Sequence, residues 1–248
     1  YGILVRGPVR ELMRVRPRAV KKLYVDQRRA QSSGDDPVAD LSRAALAWGI
    51  AIEPRASAEL DQLVDADARH QGVIAKVGEF VYADVDALIA HGETGGQKPL
   101  LVALDGVEDP RNLGAIIRSA YLLGAHGIII PSNRAAGVTP AVTKVSAGAS
   151  ELLPIAQVGN LARTLEDLKQ RGIWNVGVHV DHRARPLHAI DLNMPLCLVL
   201  GAEDKGIRSL VAKQCDFHAI IPMASEGVGS FNVSVAAALV MYEARRQR

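Results

Sequence analysis

Cysteine is scarce in this chain, and long apolar runs are missing from it. Of its 248 residues only Cys197 and Cys215 are cysteines, and their separation does not match the ligand spacing of a zinc site. Two thiols do not suggest a disulfide framework. We interpret Cys197, which lies in an apolar run, as buried, and both thiols as inert core or near-surface side chains in a protein of the reducing cytoplasm. No apolar run reaches the ~18–20 residues that a membrane-spanning helix requires. No targeting segment is visible, and because the chain starts at Tyr1 rather than Met we expect a trimmed N-terminus.

Aromatic residues and nucleotide-binding fingerprints are also sparse. Aromatics make up 4% of the chain, too few in the first 84 residues to predict a platform on which the bases of a single strand stack. The glycine cluster at 227–232 lacks the third glycine of a dinucleotide fingerprint, and no acidic residue follows about 20 positions later. No Walker lysine pattern is present. These absences disfavour NAD and ATP as cofactors.

Positive charge is concentrated near the N-terminus, although the whole chain carries a net charge of only +2. Residues 1–29 contain nine basic and two acidic side chains, a local net charge of +7. This asymmetry suggests a polyanionic partner, but a basic helix face exposed to solvent explains it equally well. The candidate phosphate contacts in this segment are Arg6, Arg10, Arg14, Arg16, Lys21 and Lys22.

The hydrophobic pattern divides the chain into two regions. Residues 1–84 are typical of a small α/β domain, with an alternating β-rich run at 70–77. Residues 85–98 are predicted as a linker, because glycine pairs, polar residues and Pro99 at 91–99 oppose both helix and strand. Residues 99–248 then alternate continuous apolar strands with helices. This alternation predicts a parallel sheet that is covered by helices on both faces.

Polar turns follow two of the predicted strands, and each contains candidate site residues. The strand at 100–104 leads into a turn and a helix at 112–124 that carries Asn112 and Arg118, and the strand at 196–200 leads into Gly201 and Glu203. Ligands of open α/β sheets bind outside the carboxyl ends of the strands. The remaining candidates flank the start of the closing helix at 233–246: Ile221, Met223, Ser230, Phe231 and Asn232.

Six of these nine residues also have a purely structural explanation. A role as helix N-cap accounts for Asn112, and capping equally accounts for Ser230 and Asn232. Gly201 could belong to a plain turn, and Met223 could fill a gap in the core. Arg118 lies off the apolar stripe of its helix and could simply be solvated. No single motif therefore decides the function.

The ordered set of motifs resembles the SpoU (TrmH-like) family of RNA ribose 2′-O-methyltransferases, which belong to the SPOUT class. Residues 105–115 with Arg118 resemble the first family motif, and residues 201–206 resemble the second. Residues 220–223 followed by 230–236 resemble the third. The pair at 1–2 and the run at 70–75 are similar to the family's substrate-binding domain, which resembles ribosomal protein L30e.

The resemblance implies a fold, a cofactor and an assembly. The expected fold is an α/β SPOUT domain with a parallel sheet and a C-terminal trefoil knot, preceded by the small L30e-like domain. S-adenosylmethionine is expected to bind around Gly201, Ile221, Met223 and Phe231. The protein is expected to be a homodimer whose active sites are completed across the interface. Two departures from the family are Phe231, which stands where leucine is usual, and a loop at 224–229 that is one residue longer than in the most similar branch.

The implied reaction transfers a methyl group to a ribose 2′-hydroxyl and requires no metal. The family assigns the base to the arginine that matches Arg118. We expect Arg118 instead to bind an RNA phosphate and stabilise the developing alkoxide, because arginine gives up its proton at too high a cost. Asn112, Glu203, Ser230 and Asn232 would order the donor, the loops and the target ribose.

The most similar branch of the family implies a specific substrate, a guanosine in the P-loop of large-subunit (23S) rRNA. Two alternatives stay open at this point. The enzyme could methylate another rRNA site, including one that confers resistance, or a tRNA. The chain could also be a non-catalytic RNA-binding scaffold, although the joint presence of Asn112, Arg118, Glu203 and Asn232 speaks against this.

Overall fold

The computed structural model describes residues 2–32, 36–64, 69–179, 184–224 and 230–248. Backbone contacts divide the chain into two compact units, one formed by residues 1–81 with 138–152 and the other by residues 82–137 with 153–248. The domain boundaries predicted from the sequence stay a prediction. Tyr1 and most of the loop at 224–229, for which the family resemblance implies an extra residue, lie outside the described residues.

The secondary structure is α/β in both units. The strands are β1 (Gly2–Val5), β2 (Val20–Asp26), β3 (Ala51–Arg55), β4 (Val73–Val77), β5 (Leu100–Asp105), β6 (Gly127–Pro131), β7 (Ile155–Val158), β8 (Trp174–Val178), β9 (Arg185–Pro186), β10 (Leu196–Gly201) and β11 (Phe217–Ile220). The α-helices are α1 (Arg6–Val15), α2 (Gln27–Ala30), α3 (Pro37–Ala47), α4 (Ser57–Asp61), α5 (Val85–Glu93), α6 (Pro110–Leu122), α7 (Pro140–Val145), α8 (Leu161–Gln170), α9 (Ser209–Ala212) and α10 (Val233–Gln247). In the described ranges no helix is both long and apolar enough to cross a bilayer.

The first unit is built on a mixed sheet with strand order β1-β4-β2-β3. Strand β4 pairs antiparallel with β1 and β2, and β2 pairs parallel with β3. Helix α1 buries Val9, Leu12 and Met13, which recur at helical spacing and pack into the core of this unit. The opposite side of α1 is left to basic side chains. Helix α1 therefore has one apolar and one cationic face.

The second unit is built on a sheet with strand order β7-β6-β5-β10-β8-β11-β9, and the pairings between these strands are parallel. All residues of β5 and β6 are buried, so both faces of the sheet are covered. The prediction of a covered parallel sheet is confirmed. Strand β10 follows β8 in the chain but lies between β5 and β8. Its register pairs Gly201 with Asp105, which brings the carboxyl ends of β5 and β10 together.

The prediction that residues 91–99 oppose regular structure is wrong. Residues 91–93 form the last turn of α5, and a 3₁₀ turn follows at Thr94–Gly96. The Asp84 side chain caps α5 by accepting a hydrogen bond from the Ala87 amide at 2.7 Å. Leu88 and Ile89 are buried in the core beneath the sheet. Because the cap and the two apolar anchors fix the helix, the glycines beyond it do not unwind its end.

Candidate active site

The loop after β10 folds back tightly on the strand. The Gly206 amide donates a hydrogen bond to the Ala202 carbonyl at 2.9 Å. A Cβ atom at Gly201 would lie 2.0 Å from the Gly206 carbonyl carbon and 2.3 Å from the Ile207 amide nitrogen. Glycine is therefore required at position 201 by the protein's own backbone.

Three polar side chains from distant parts of the chain meet beside this loop. Glu203 Oε1 accepts hydrogen bonds from Asn112 Nδ2 at 3.1 Å, from Asn232 Nδ2, and from the Val233 amide at 3.1 Å. Asn232 Nδ2 also donates to Asn112 Oδ1 at 3.1 Å. These contacts close a triangle that we call the polar cluster, formed by Asn112, Glu203 and Asn232. It places a carboxylate at the N-terminus of α10, where the helix dipole favours negative charge.

Local capping explains how two of these side chains are positioned. Asp109, not Asn112, caps α6, since its carboxylate accepts a hydrogen bond from the Arg111 amide at 2.8 Å. The capping explanation for Asn112 is therefore wrong, because Asn112 lies inside the first turn and its side-chain amide reaches Glu203. Asn232 does cap α10, with its Oδ1 accepting from the Ser234 amide at 2.9 Å. The Ser234 hydroxyl donates to the same oxygen at 2.6 Å.

A cavity of about 490 Å³ opens at the carboxyl ends of β8, β10 and β11, and we call it the β10 cavity. Its volume lies within the range of small-molecule sites. It brings together all four predicted cofactor residues and two of the predicted catalytic residues, together with several apolar side chains for which the sequence gives no signal. The predicted residues that line it are Gly201, Ile221, Met223, Phe231, Glu203 and Ser230.

A second cavity of about 310 Å³, the β5 cavity, adjoins the same loop. The two cavities share residues 202–206 and Val233, so Glu203 lines both. The β5 cavity is also lined by Asn112, Arg134 and Arg208. The β10 cavity, lined mainly by apolar residues, and the β5 cavity, which also carries several charged side chains, therefore meet at Glu203.

Sequence reasoning misses an ion pair at the β5 cavity between the buried Asp105 and the exposed Arg208. Asp105 is buried at the end of β5, and its carboxylate accepts hydrogen bonds from the Arg208 amide at 2.8 Å and from Arg208 Nε at 2.7 Å. This pair ties the loop after β10 to the end of β5. The sequence offers one signal for Asp105, which is an acidic residue directly after a continuous apolar run. Arg208 itself has no distinguishing context in the sequence.

Two predicted catalytic residues lie outside the polar cluster. Arg118 is exposed on α6, as its position off the apolar stripe predicts, and among the described residues it lines neither cavity. Ser230 lines the β10 cavity. The serine that donates a hydrogen bond to Asn232 is Ser234, not Ser230. The catalytic roles of both residues stay predictions.

Five of the six basic candidates of the first unit fall into two groups. Arg10 and Arg14 extend from the exposed face of α1, each 3.5–3.6 Å from Glu11, and Lys21 is exposed. Arg16 and Lys22 are engaged within the protein, Arg16 with the nearly buried Glu151 and Lys22 with Glu53. The hydrogen bond to Glu53 raises the pKa of Lys22. Arg6 is partly exposed at the start of the same helix.

Both thiols are buried, which confirms the interpretation of Cys197 from the sequence. Burial raises the pKa of the Cys197 thiol, which keeps it protonated. Within the described ranges no group of three or more histidine, cysteine, aspartate or glutamate side chains is arranged to hold a metal ion.

The fold and the site define an α/β protein with a ligand cavity at the carboxyl edge of a parallel sheet, bordered by a carboxylate and two amides. Residues 99–242 match the model of the SpoU rRNA Methylase family. Residues 6–83 match the model of the RNA 2′-O ribose methyltransferase substrate-binding domain. The chain belongs to the SpoU rRNA methylase family.

Individual relatives are similar over most of the chain. The 23S rRNA (guanosine-2′-O-)-methyltransferase RlmB of Pseudomonas aeruginosa is 41% identical over all of this chain and 96% of its own length. The SpoU methyltransferase AviRb from Streptomyces viridochromogenes, solved with AdoMet, has a TM-score of 0.80 at 26% identity, covering 99% of this chain and 89% of its own. An AdoMet-bound rRNA methyltransferase from Sinorhizobium meliloti has a TM-score of 0.73 at 26% identity, covering 92% and 80%.

Proposed function

We propose that this protein transfers a methyl group from S-adenosylmethionine to the ribose 2′-hydroxyl of a guanosine in the P-loop of 23S rRNA. The observation that carries the proposal is the meeting of the β10 and β5 cavities at Glu203 of the Asn112–Glu203–Asn232 cluster. A methyl transferase needs two adjoining compartments, one for the donor and one for the acceptor. The choice of guanosine and of 23S rRNA is supported by the relative from Pseudomonas aeruginosa. A cytoplasmic location belongs to the same proposal.

The β10 cavity fits S-adenosylmethionine by its size and by its lining. Leu200, Ile221 and Phe231 offer apolar surface for a purine ring. Backbone groups of the folded loop at 201–206 and the Glu203 carboxylate offer polar contacts at its edge. The bound donor supplies an electrophilic methyl group on a sulfonium. Phe231, which is 40% exposed, presents a wider wall than the leucine that the family usually has there.

The residues of the polar cluster position the reactants in this scheme. Glu203 is held by three hydrogen bonds, so its carboxylate is fixed where the two cavities meet. Asn112 and Asn232 orient that carboxylate, and Asn112 also lines the β5 cavity. In that cavity the ribose would lie with its 2′-hydroxyl toward the β10 cavity. A fixed arrangement of this kind aligns the oxygen with the methyl group before the reaction begins.

Arg118 would complete the site of a second protomer. It shares a face of α6 with Tyr121 and Leu122, which are 40% and 70% exposed. Helix α10 packs beside α6 and carries a second exposed apolar stripe at Val235, Leu239 and Tyr242. Exposed apolar stripes on neighbouring helices are typical of a protein interface. A homodimer formed through them would carry Arg118 toward the partner's β5 cavity, where it can bind a phosphate and stabilise the developing alkoxide.

Mapping of ribose methylation in total RNA from cells with and without the gene tests this proposal. We expect one 2′-O-methyl group to disappear from the P-loop of 23S rRNA when the gene is removed, and to return with the wild-type protein. Loss of a methyl group at another rRNA site or in a tRNA would contradict the proposed substrate. An unchanged methylation map would favour the non-catalytic scaffold.

A further inference from the structure

The first unit contains a surface cavity of about 880 Å³ that plays no part in the proposed chemistry. It lies where α1 and α3 end and where the chain leaves β4. Two of its walls are large apolar side chains that are unusually exposed, Trp48 at 56% and Val81 at 71%. The other lining residues are Val15, Arg16, Pro17, Arg18, Ala19, Lys21, Gly78 and Glu79.

The charged side chains around this cavity are mainly cationic. Arg18 and Lys21 are exposed, and neither has an ion-pair partner among the residues that the structure describes. Arg16 is held in place by Glu151 and lies over the Phe80 ring at 5.2 Å, so it forms a fixed part of the wall. Glu79 is the single acid in the described lining. An aromatic face beside two uncommitted cations suits a ligand with a flat ring and negative charge.

The cavity also continues the cationic face of α1. Arg10 and Arg14 are one helical turn apart on that face, with side chains 77% and 66% exposed. The helix ends at Val15, which lines the cavity. A phosphate backbone that follows α1 would therefore arrive at Arg18, Lys21 and Trp48 together.

We infer that this cavity binds one unpaired nucleotide of the RNA substrate, with its base stacked on the Trp48 indole and its flanking phosphates on Arg18 and Lys21. This inference rests on the proposed function for the identity of the polyanion. Unpaired bases of RNA are commonly recognised by stacking on aromatic side chains. The site would select an RNA that carries a splayed-out nucleotide.

The second tryptophan of the chain offers a matched comparison. Trp174 is 46% exposed, but its ring packs against Phe217 at 5.7 Å, and it belongs to the other unit. Replacing it by phenylalanine leaves Trp48 as the only tryptophan of the 248-residue sequence. The fluorescence of the Trp174→Phe protein then reports on the cavity alone.

The experiment titrates Trp174→Phe with two RNA hairpins, one with an unpaired adenosine loop and one whose loop is made of abasic ribose phosphates. We expect the adenosine loop to quench Trp48 fluorescence and the abasic loop to leave it unchanged. In the wild-type background, Trp48→Ala should weaken binding of the adenosine hairpin on the order of 10-fold, and Trp48→Phe should restore most of it. Leu46→Ala is the control, since Leu46 is 68% exposed but does not line the cavity.

Two results would overturn the inference. One is binding of the adenosine hairpin, measured by anisotropy, without quenching of Trp48; the other is no binding of the hairpin at all. A third measurement separates this inference from the proposed function. If quenching occurs but wild-type protein does not methylate rRNA, the nucleotide site stands and the proposed reaction fails. If Trp48→Ala methylates rRNA normally and the Trp174→Phe protein shows no quenching, the proposed reaction stands and the nucleotide site fails.

Discussion

Arg118 is the residue for which family assignment and elementary acid–base chemistry disagree most. An arginine side chain stays protonated in proteins, so it is poorly suited to remove a proton from a hydroxyl. Its planar guanidinium is well suited to hold a phosphate through two parallel hydrogen bonds. Its exposure on α6, away from both cavities of its own chain, fits a group that acts on the RNA bound to a partner.

Replacing Arg118 should therefore separate activity from stability. We expect Arg118→Ala to change the free energy of unfolding by less than about 1 kcal/mol, because the side chain is exposed. We expect methylation to fall on the order of 10²-fold or more. Arg118→Lys should be severely impaired at every pH, because lysine lacks the two-pronged guanidinium. Single-turnover methylation at saturating donor and RNA, across a pH series, is the measurement.

Arg163→Ala serves as the control, since Arg163 is exposed on α8 and lies outside both cavities. Near-wild-type rates of Arg118→Lys at high pH would support a base at this position and contradict our assignment. Normal activity of Arg118→Ala would remove the residue from the mechanism.

Residue types in the motifs predict part of the site, but their contacts cannot be read from the sequence. Asn112, Glu203 and Asn232 are predictable as neighbours in space, because each stands next to the end of a strand or the start of a helix. The role of Asn112 is not predictable, because Asp109 competes for the same cap three residues earlier. The pairing of Asp105 with Arg208 depends on the register between β5 and β10, which no local pattern encodes.

At the scale of single elements, the loop after β10 depends on a glycine at its base. Gly201→Ala should displace the loop, because the added Cβ would overlap the backbone at Gly206. We expect a loss of about 2 kcal/mol or more in the free energy of unfolding, together with weakened S-adenosylmethionine binding. Gly159→Ala is the matched control, because a Cβ added there would meet no atom within 4 Å, so its loop should be unaffected. Thermal unfolding and calorimetry of both variants decide the matter, and normal donor affinity in Gly201→Ala would contradict the geometry.

The start of β5 is bound by a histidine that should make folding pH-dependent. His126 Nδ1 accepts a hydrogen bond from the Leu100 amide at 2.9 Å, which requires that nitrogen to be unprotonated. Burial lowers the pKa of His126 below its ordinary value of 6.5, with His91 adding to the effect. A lowered pKa in the folded state means that protons bind more readily to the unfolded chain. The contribution of neutral His126 to the stability of the folded state is therefore fully present above the ordinary pKa of 6.5. It declines as the pH falls below that value.

The asparagine variant tests this pH dependence. In His126→Asn the amide oxygen can still accept from Leu100, but it does not titrate. We expect urea unfolding curves of the wild type to lose more stability than those of the variant between about pH 8 and about pH 5.5. Equal losses in the two proteins would show that another group controls this pH range.

Elements with continuous apolar or helical patterns are predictable, whereas a helix end among glycines is not. Strands β5 and β10 are recognisable because buried parallel strands are apolar throughout. The end of helix α5 has the composition of a linker because its last residues adjoin glycine pairs. Asp84 caps the start of α5, and Leu88 and Ile89 are buried along it. These contacts stabilise the helix despite the composition of its last residues.

At the scale of the whole molecule, the exposed stripes on α6 and α10 predict the assembly. Leu122→Asp places a charge on the most exposed apolar residue of these stripes, so we expect it to shift a dimer toward monomer. If Arg118 acts on the partner's site, the loss of the dimer should also lower the rate of methylation. Leu46→Asp controls for solubility, because Leu46 is similarly exposed in the other unit. Sedimentation measures the oligomeric state. A wild-type protein that is active as a monomer would contradict this arrangement.

The overall architecture is predictable only in part. Alternating strands and helices indicate a parallel sheet, and this is confirmed. The insertion of β10 between β5 and β8 cannot be derived, since the order of strands depends on contacts between distant segments. The trefoil knot is implied by family resemblance alone and stays a prediction.

Methyl transfer by the purified protein tests the central claim most directly. The protein is incubated with 23S rRNA and S-adenosylmethionine that carries a labelled methyl group, and the digested nucleosides are separated. We expect label in 2′-O-methylguanosine, mapping to a single P-loop nucleotide, with little or no label for Arg118→Ala. The proposed reaction would be contradicted by label on a base or at another nucleotide. It would also be contradicted if wild-type protein bound the donor but transferred no methyl group.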